Sequence, residues 1–193
     1  MGSRLGASVG DAFPPPQAVL TIEYPHLRVL ARLNRARVDY VLIGVMAISH
    51  YADYPEEAYF TDDCDLLLRP DFRNLRRAVR AVLAEGYSLT AGQEPLPEPD
   101  DLTLRRILEH RANIIGRQAG TVSVDLVLDA GRMTFAEWRK GRRLFKAGPI
   151  RVPCAALEKL LLAKKRAGRP KDRAFLKLYR AMLETKRQRG AKG

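Results

Sequence analysis

Apolar and polar positions recur along this chain on two periods, and the two periods sort it into helices and strands. Leu27, Leu30 and Leu33 recur at helical spacing with Arg28, Arg32 and Arg35 outside them, which predicts a helix from Tyr24 to Arg37. Val38–Ile43 is a β-branched and apolar run, so a buried strand. Gly44 follows at once, and Val45–Tyr51 can close into a short helix. Asp53–Tyr59, with Pro55, reads as a loop. The stretch Phe60-Thr61-Asp62-Asp63-Cys64-Asp65-Leu66-Leu67-Leu68 begins polar and ends apolar, as a strand does that opens at an acidic end. Pro70-Asp71-Phe72 is a helix-start signal with Asp71 as its cap. Phe72, Leu75, Val79 and Val82 stripe that helix to Glu85, and Gly86 ends it.

Ala91–Asp101 carries Pro95, Pro97 and Pro99 among four acids and reads as a surface connection. Arg111–Arg117 and Thr121–Leu128 are β-prone runs around Gln118-Ala119-Gly120, a hairpin signal. Thr134–Lys140 reads as a short helix and Pro149–Val152 as a short strand. Cys154–Arg166 reads as a strong helix with Leu157, Leu160, Leu161 and Ala163 inward. Gly168-Arg169-Pro170-Lys171-Asp172 breaks it. A last helix, Arg173–Leu183, turns Phe175, Leu178, Tyr179 and Met182 inward. Residues 1–18, rich in Gly and Ser and holding Pro14-Pro15-Pro16, read as disordered. The expected organisation is a core over 19–153, a helical hairpin over 154–185 packed on it, and a basic tail over 186–193.

Composition narrows the class. The length of 193 residues suits one domain, or one with a small appendage, and 46% hydrophobic residues suffice for a core. Cys64 and Cys154 lie in apolar surroundings far apart, which is no disulfide framework and points to a reducing, cytoplasmic setting. His26, His50 and His110 show no zinc-ligand spacing with them. No apolar run approaches the roughly 18 residues of a membrane span, and the start does not read as a signal peptide. The formal charge is +12, and residues 164–193 hold twelve basic side chains against Asp172 and Glu184. Such a block suits a polyanion, nucleic acid or a nucleotide's phosphates; it also suits a solvated helix face and a loose tail.

Three acids are the candidate chemistry. Asp63 and Asp65 are two apart on a strand, so both carboxylates leave the same face. Like charges that close repel unless a proton or a cation lies between them, and Mg²⁺ takes carboxylates and substrate phosphates together. The same residues also read as a solvated strand start. Asp125 sits inside Val122-Ser123-Val124-Asp125-Leu126-Val127-Leu128, where a buried carboxylate needs a partner, a proton or a metal. Its alternative is an edge-strand Asp facing water. Gly44, between strand and helix, lets backbone approach a ligand, or merely makes the turn.

In order, Ile43-Gly44, Thr61-Asp62-Asp63-Cys64-Asp65-Leu66, Val124-Asp125-Leu126, and Lys164 through Gly168-Arg169-Pro170-Lys171-Asp172 resemble the nucleotidyltransferase superfamily with the polymerase-β-like fold. The nearer likeness is to its small bacterial branch, which includes the AbiEii-type toxins, and it covers about residues 38–183. The resemblance implies an α+β fold, with a mixed β-sheet nucleotidyltransferase core, flanking helices and a C-terminal helical hairpin. It implies Mg²⁺ (or Mn²⁺) held by Asp63, Asp65 and Asp125, with Asp125 also helping to deprotonate the attacking hydroxyl. Lys164 would meet the triphosphate. Gly44, Val45, Thr61, Lys165 and Arg169 would complete the nucleotide site, and Asp172 would orient Lys164 or Arg169, although Asp172 equally reads as a helix cap.

The implied partners are an NTP, RNA (a tRNA end) or a protein hydroxyl as acceptor, an antitoxin protein, and no membrane. Three departures are visible. Val45 stands where a second glycine or a serine is usual, Tyr59 where an arginine is frequent, and Phe175 where a second acid follows. They leave a second reading open: a nucleic-acid-binding protein that keeps the fold without the activity. An antibiotic-modifying nucleotidyltransferase is a third, opposed by the positive charge, since cationic drugs prefer acidic clefts.

Overall fold

A computed structural model describes residues 25–52 and 58–190, with side chains over 26–52 and 58–184. The segment 1–18, the start of the expected core at 19–24, most of the 53–59 loop and the tail side chains of Lys186, Arg187, Arg189 and Lys192 lie outside the described residues. The described chain is α+β, with seven helices and eight strands. In order these are α1 (Pro25–Arg35), β1 (Tyr40–Leu42), α2 (Gly44–Ser49), β2 (Asp63–Leu68), α3 (Phe72–Leu83), β3 (Ser88–Ala91), β4 (Glu94–Pro95), α4 (Asp101–Glu109), β5 (Ile114–Arg117), β6 (Ser123–Val127), α5 (Phe135–Arg139), β7 (Arg143–Ala147), β8 (Ile150–Cys154), α6 (Leu157–Ala167) and α7 (Pro170–Gly190). The strands form one mixed sheet in the order β4-β3-β5-β6-β2-β1-β8-β7. The pairs β2–β6 and β1–β8 are parallel, and the rest are antiparallel.

Register divides the sheet into two faces. Cys64 pairs with Val124 and Val124 with Gly116; Leu66 pairs with Leu126 and Leu126 with Ile114. All six are buried. A Cβ at Gly116 would lie 3.1 Å from Val82 Cγ1, so α3 presses on this face and leaves no room for a side chain there. Helix α1 packs beside α3, and Glu85 at the end of α3 receives Arg28 and Arg32 from α1. Asp71 caps α3 as its sequence predicts, accepting from the Asn74 N–H at 2.9 Å.

Asn74 is the fully buried polar side chain of this layer. It accepts from the Asp39 N–H at 2.8 Å and donates to the carbonyls of Asp39 at 2.9 Å and Arg69 at 3.0 Å. One amide thus ties the first turn of α3 to the start of β1 and the end of β2.

Several elements depart from the sequence expectation. Cys154 ends β8, paired with Leu42, and α6 begins only at Leu157. The apolar residues at the start of the expected helix serve the sheet instead. β7 escapes the periodicity because, as an edge strand, it keeps Arg143, Leu144 and Lys146 exposed. The acidic connection holds the short strand β4 and the start of α4. Asp100 there is a helix cap, accepting from the Thr103 N–H at 2.7 Å. Helix α7 runs to Gly190, through residues expected as tail. Leu178, expected inward, is 61% exposed, because Phe175, Tyr179 and Met182 already define the packed face.

Candidate functional site

The parallel pairing of β2 with β6 sets Asp65 directly beside Asp125 and Asp63 beside Ser123. Paired strands stand about 4.8 Å apart, so three carboxylates share the sheet face opposite α3. Burial first, then Asp125 and Asp63, pushes the Asp65 carboxyl up to about 6, against the pull of Lys164 and Lys171. Burial, then Asp63, raises Asp125 as well, with Arg117, hydrogen bonding from Ser123 and Lys171 opposing. Oδ1 of Asp125 is buried and accepts no hydrogen bond. Asp63 is exposed; its Oδ1 lies 3.0 Å from the Ser123 hydroxyl, which also lies 3.2 Å from the Asp62 carbonyl. Thr61 accepts from the Asp63 N–H at 3.3 Å and so shapes the strand entry.

Gly44 lies against this group. Its φ is +74°, and a Cβ there would fall 2.1 Å from Asp65 Oδ2. Only glycine lets the chain pass so close over the carboxylate in that conformation. Ile43, at the N-cap of α2, offers no side-chain acceptor to the first turn. Val45 is half-buried and its carbonyl accepts from the Ser49 hydroxyl at 3.2 Å.

Across from the acids stands the α6–α7 hairpin, turned by Gly168 at φ +60°. Asp172, 1% exposed, accepts from Lys164 Nζ at 3.2 Å and from Arg169 Nε at 2.6 Å. Burial alone would raise its carboxyl; the bonds from Arg169 and Lys164 outweigh that and hold it below the usual range. Lys164 Nζ also lies 4.8 Å from the centre of the Phe175 ring, which packs on Tyr59 and Tyr179. Phe175 therefore floors the lysine. The charges of Lys164, Lys171 and Arg169 all act on Asp65. Lys165 is exposed and, among the described residues, makes no ion pair, so the structure does not draw it into the group.

Among the described residues, no three His, Cys, Asp or Glu side chains form a ready-made metal cage. Mg²⁺ does not require one, since it keeps several waters and binds one or two carboxylates together with substrate phosphates. The donor set fits that mode. Asp65 and Asp125 are register neighbours whose carboxyls are raised by burial and by the acids beside them, and Asp125 Oδ1 has no donor.

Ser123 and Arg117 were not singled out by sequence reasoning. Ser123 is two residues before Asp125, and that same-face spacing was the available signal. Cys64 and Cys154 are both free and buried, and burial raises both thiols. No helix of the described residues is long and apolar enough to cross a membrane. Compared with protein-family models and with curated proteins, the sequence finds no match.

Proposed function

We propose that this chain is a Mg²⁺- or Mn²⁺-dependent nucleotidyltransferase with a polymerase-β-like core. It transfers NMP from an NTP to a hydroxyl of RNA (a tRNA end) or protein; its likeness to the AbiEii-type branch is what suggests the toxin of a toxin–antitoxin pair. The observation that carries the reading is the register pair Asp65–Asp125 on the sheet face opposite α3, with Asp125 Oδ1 lacking a donor and Lys164 held opposite by Asp172.

In this reaction the acceptor oxygen bonds to the α-phosphorus, the bond to the bridging oxygen breaks, and pyrophosphate leaves. Asp125 takes the hydroxyl proton, a role helped by burial and Asp63, which raise its basicity above that of an ordinary carboxylate. Lys164 and Arg169 meet the triphosphate as fixed charges, and Asp172 positions both. Gly44 lets backbone pass close to Asp65 and the phosphates. Asp63, Asp65 and Asp125 would hold a divalent cation, which would supply charge neutralisation at the phosphates. The protein's own part is positioning and electrostatics, as phosphoryl chemistry demands.

The test is incubation with each labelled NTP, Mg²⁺ and total RNA. Label transfer that stops with chelator and returns with Mg²⁺ or Mn²⁺ supports the reading. Undiminished transfer by Asp63→Asn or Asp65→Asn would place the catalytic centre elsewhere. Val45, with no hydroxyl at the phosphate turn, favours the second reading, a nucleic-acid-binding protein without transfer. Absence of NTP binding in the wild type, with RNA still bound, selects that one. Where NTP binds, Lys164→Ala should weaken it far more than it weakens RNA.

A further inference from the structure

Basic residues reach the carboxylates from two sides. Helix α6, which carries Lys164, packs on α2, the helix that follows β1 on one side of β2; Arg117 ends β5, beyond β6 on the other. Ile115 pairs with Asp125, so Arg117, two residues on, shares the acid face. By strand spacing Arg117 stands about 5 Å laterally from β6 and about 10 Å from β2. It is exposed, and among the described residues it has no carboxylate within ion-pair distance. Lys164 and Arg169 are by contrast already engaged by Asp172. A cavity of about 280 Å³ opens beside it, lined by Asp62, Asp63, Arg117, Gln118, Thr121 and Ser123.

We propose that Arg117 and this cavity form an acceptor-side subsite that holds a sugar-phosphate unit of a nucleic-acid strand beside the acids. The word acceptor rests on the transferase reading above. The lining matches that chemistry from two directions. A guanidinium fork suits a phosphate, and Arg117, whose charge acts on Asp125 from a distance, is tied up by no ion pair among the described residues. The opposite wall, Asp62 and Asp63, offers acceptor oxygens, which repel a bare phosphate but take the hydroxyl protons of a ribose. A ligand presenting anionic oxygens at one end and hydroxyls at the other satisfies both walls. A triphosphate satisfies only one, and its holders lie on the other flank.

The experiment uses the full chain and a fluorescent single-stranded oligoribonucleotide with a free 3′-hydroxyl, titrated by anisotropy at two salt concentrations, with NTP titrated in parallel. Variants are Arg117→Ala, Arg117→Lys and, as a control on the remote helix α4, Arg106→Ala. Arg117→Ala should weaken the oligonucleotide about five- to tenfold and lower the salt slope by roughly one, with NTP affinity unchanged. Arg117→Lys should restore the slope but only part of the affinity. Equal losses in Arg117→Ala and Arg106→Ala, or a loss confined to NTP, would overturn the subsite. If the wild type transfers nucleotide to RNA and Arg117→Ala does so with the same KM, the subsite is wrong and the transferase reading stands. If no acceptor is ever labelled and the Arg117-specific loss of slope persists, the transferase reading fails and the sugar-phosphate subsite stands.

Discussion

Cys64, Leu66 and Leu68 leave β2 on one side of the sheet; Asp63 and Asp65 leave it on the other. The first side is buried, with α3 closing over Gly116 in the same layer. The second meets Ser123, Asp125 and the basic turn between α6 and α7. The magnitudes are comparable and opposite in sign. Burying one leucine such as Leu66 stabilises by about 1.5–3 kcal/mol. Moving the Asp65 pKa from 3.8 to about 6 makes its ionised form cost ~3 kcal/mol more than in water. One strand therefore holds a costly carboxylate in place with its apolar half; burial is the larger cause and the neighbouring acids the next, and an incoming cation or proton relieves both.

The sharpest way to break this comparison is Asp65→Asn. Transfer should fall on the order of 10³-fold, the scale of losing one charged element of a phosphoryl-transfer site. The melting temperature should hold or rise, because a like-charge contact is removed. A large drop in melting temperature would mean that the acid face stabilises the fold after all. The mirror change, Leu66→Ala, should cost about 2–5 kcal/mol in urea unfolding while the folded fraction keeps its turnover. Lost turnover at an unchanged urea midpoint would erase the distinction between the faces.

Gly44→Ala joins the two effects at the seam. Its Cβ would strike Asp65 Oδ2 in a left-handed conformation, so about 1–3 kcal/mol of stability should go, with loss of nucleotide binding. Calorimetry alongside NTP titration reads both. The smallest effect is pH-dependent. Asp172 has its carboxyl held below the usual value, so its stabilisation is present above pH ~4 and lost as pH falls through the folded value. Asp172→Asn should therefore be less stable than wild type at pH 7, with the gap narrowing in acid. A gap that stays constant down to pH ~2 would count against the Lys164–Asp172–Arg169 arrangement.

Much of the site was legible because its residues break local patterns. Asp125 interrupts a β run, Asp63 and Asp65 open one, and Gly168 ends a helix. What was not legible depends on neighbours far along the chain. Ser123 looks ordinary until β6 sets it against Asp63, 60 residues away. Arg117 looks like any hairpin arginine until register places it on the acid face. Asn74 reads as a polar residue in an amphipathic helix, yet it is wholly buried, because the ends of β1 and β2 present backbone groups that only an amide can answer from both sides. Cys154 carries no mark that distinguishes a strand end from a helix start.

The sequence by itself determined the short-range features. The α3 stripe and its Asp71 cap, the short helix after Thr134, the β5–β6 hairpin and the concentration of positive charge at the C-terminal end all follow from residues within a few positions of one another. Such choices depend on local sterics and local hydrogen bonds, which adjacent residues fix. Only the tertiary structure decided that β6 lies parallel to β2, that Asp65 and Asp125 stand in one register, and that Lys164 and Lys171 face them. Parallel pairing needs a long crossover, here running through α3 to β5. Its register is set by burying Cys64, Leu66, Val124 and Leu126 under the helices, and a slip of one residue would turn the acids inward.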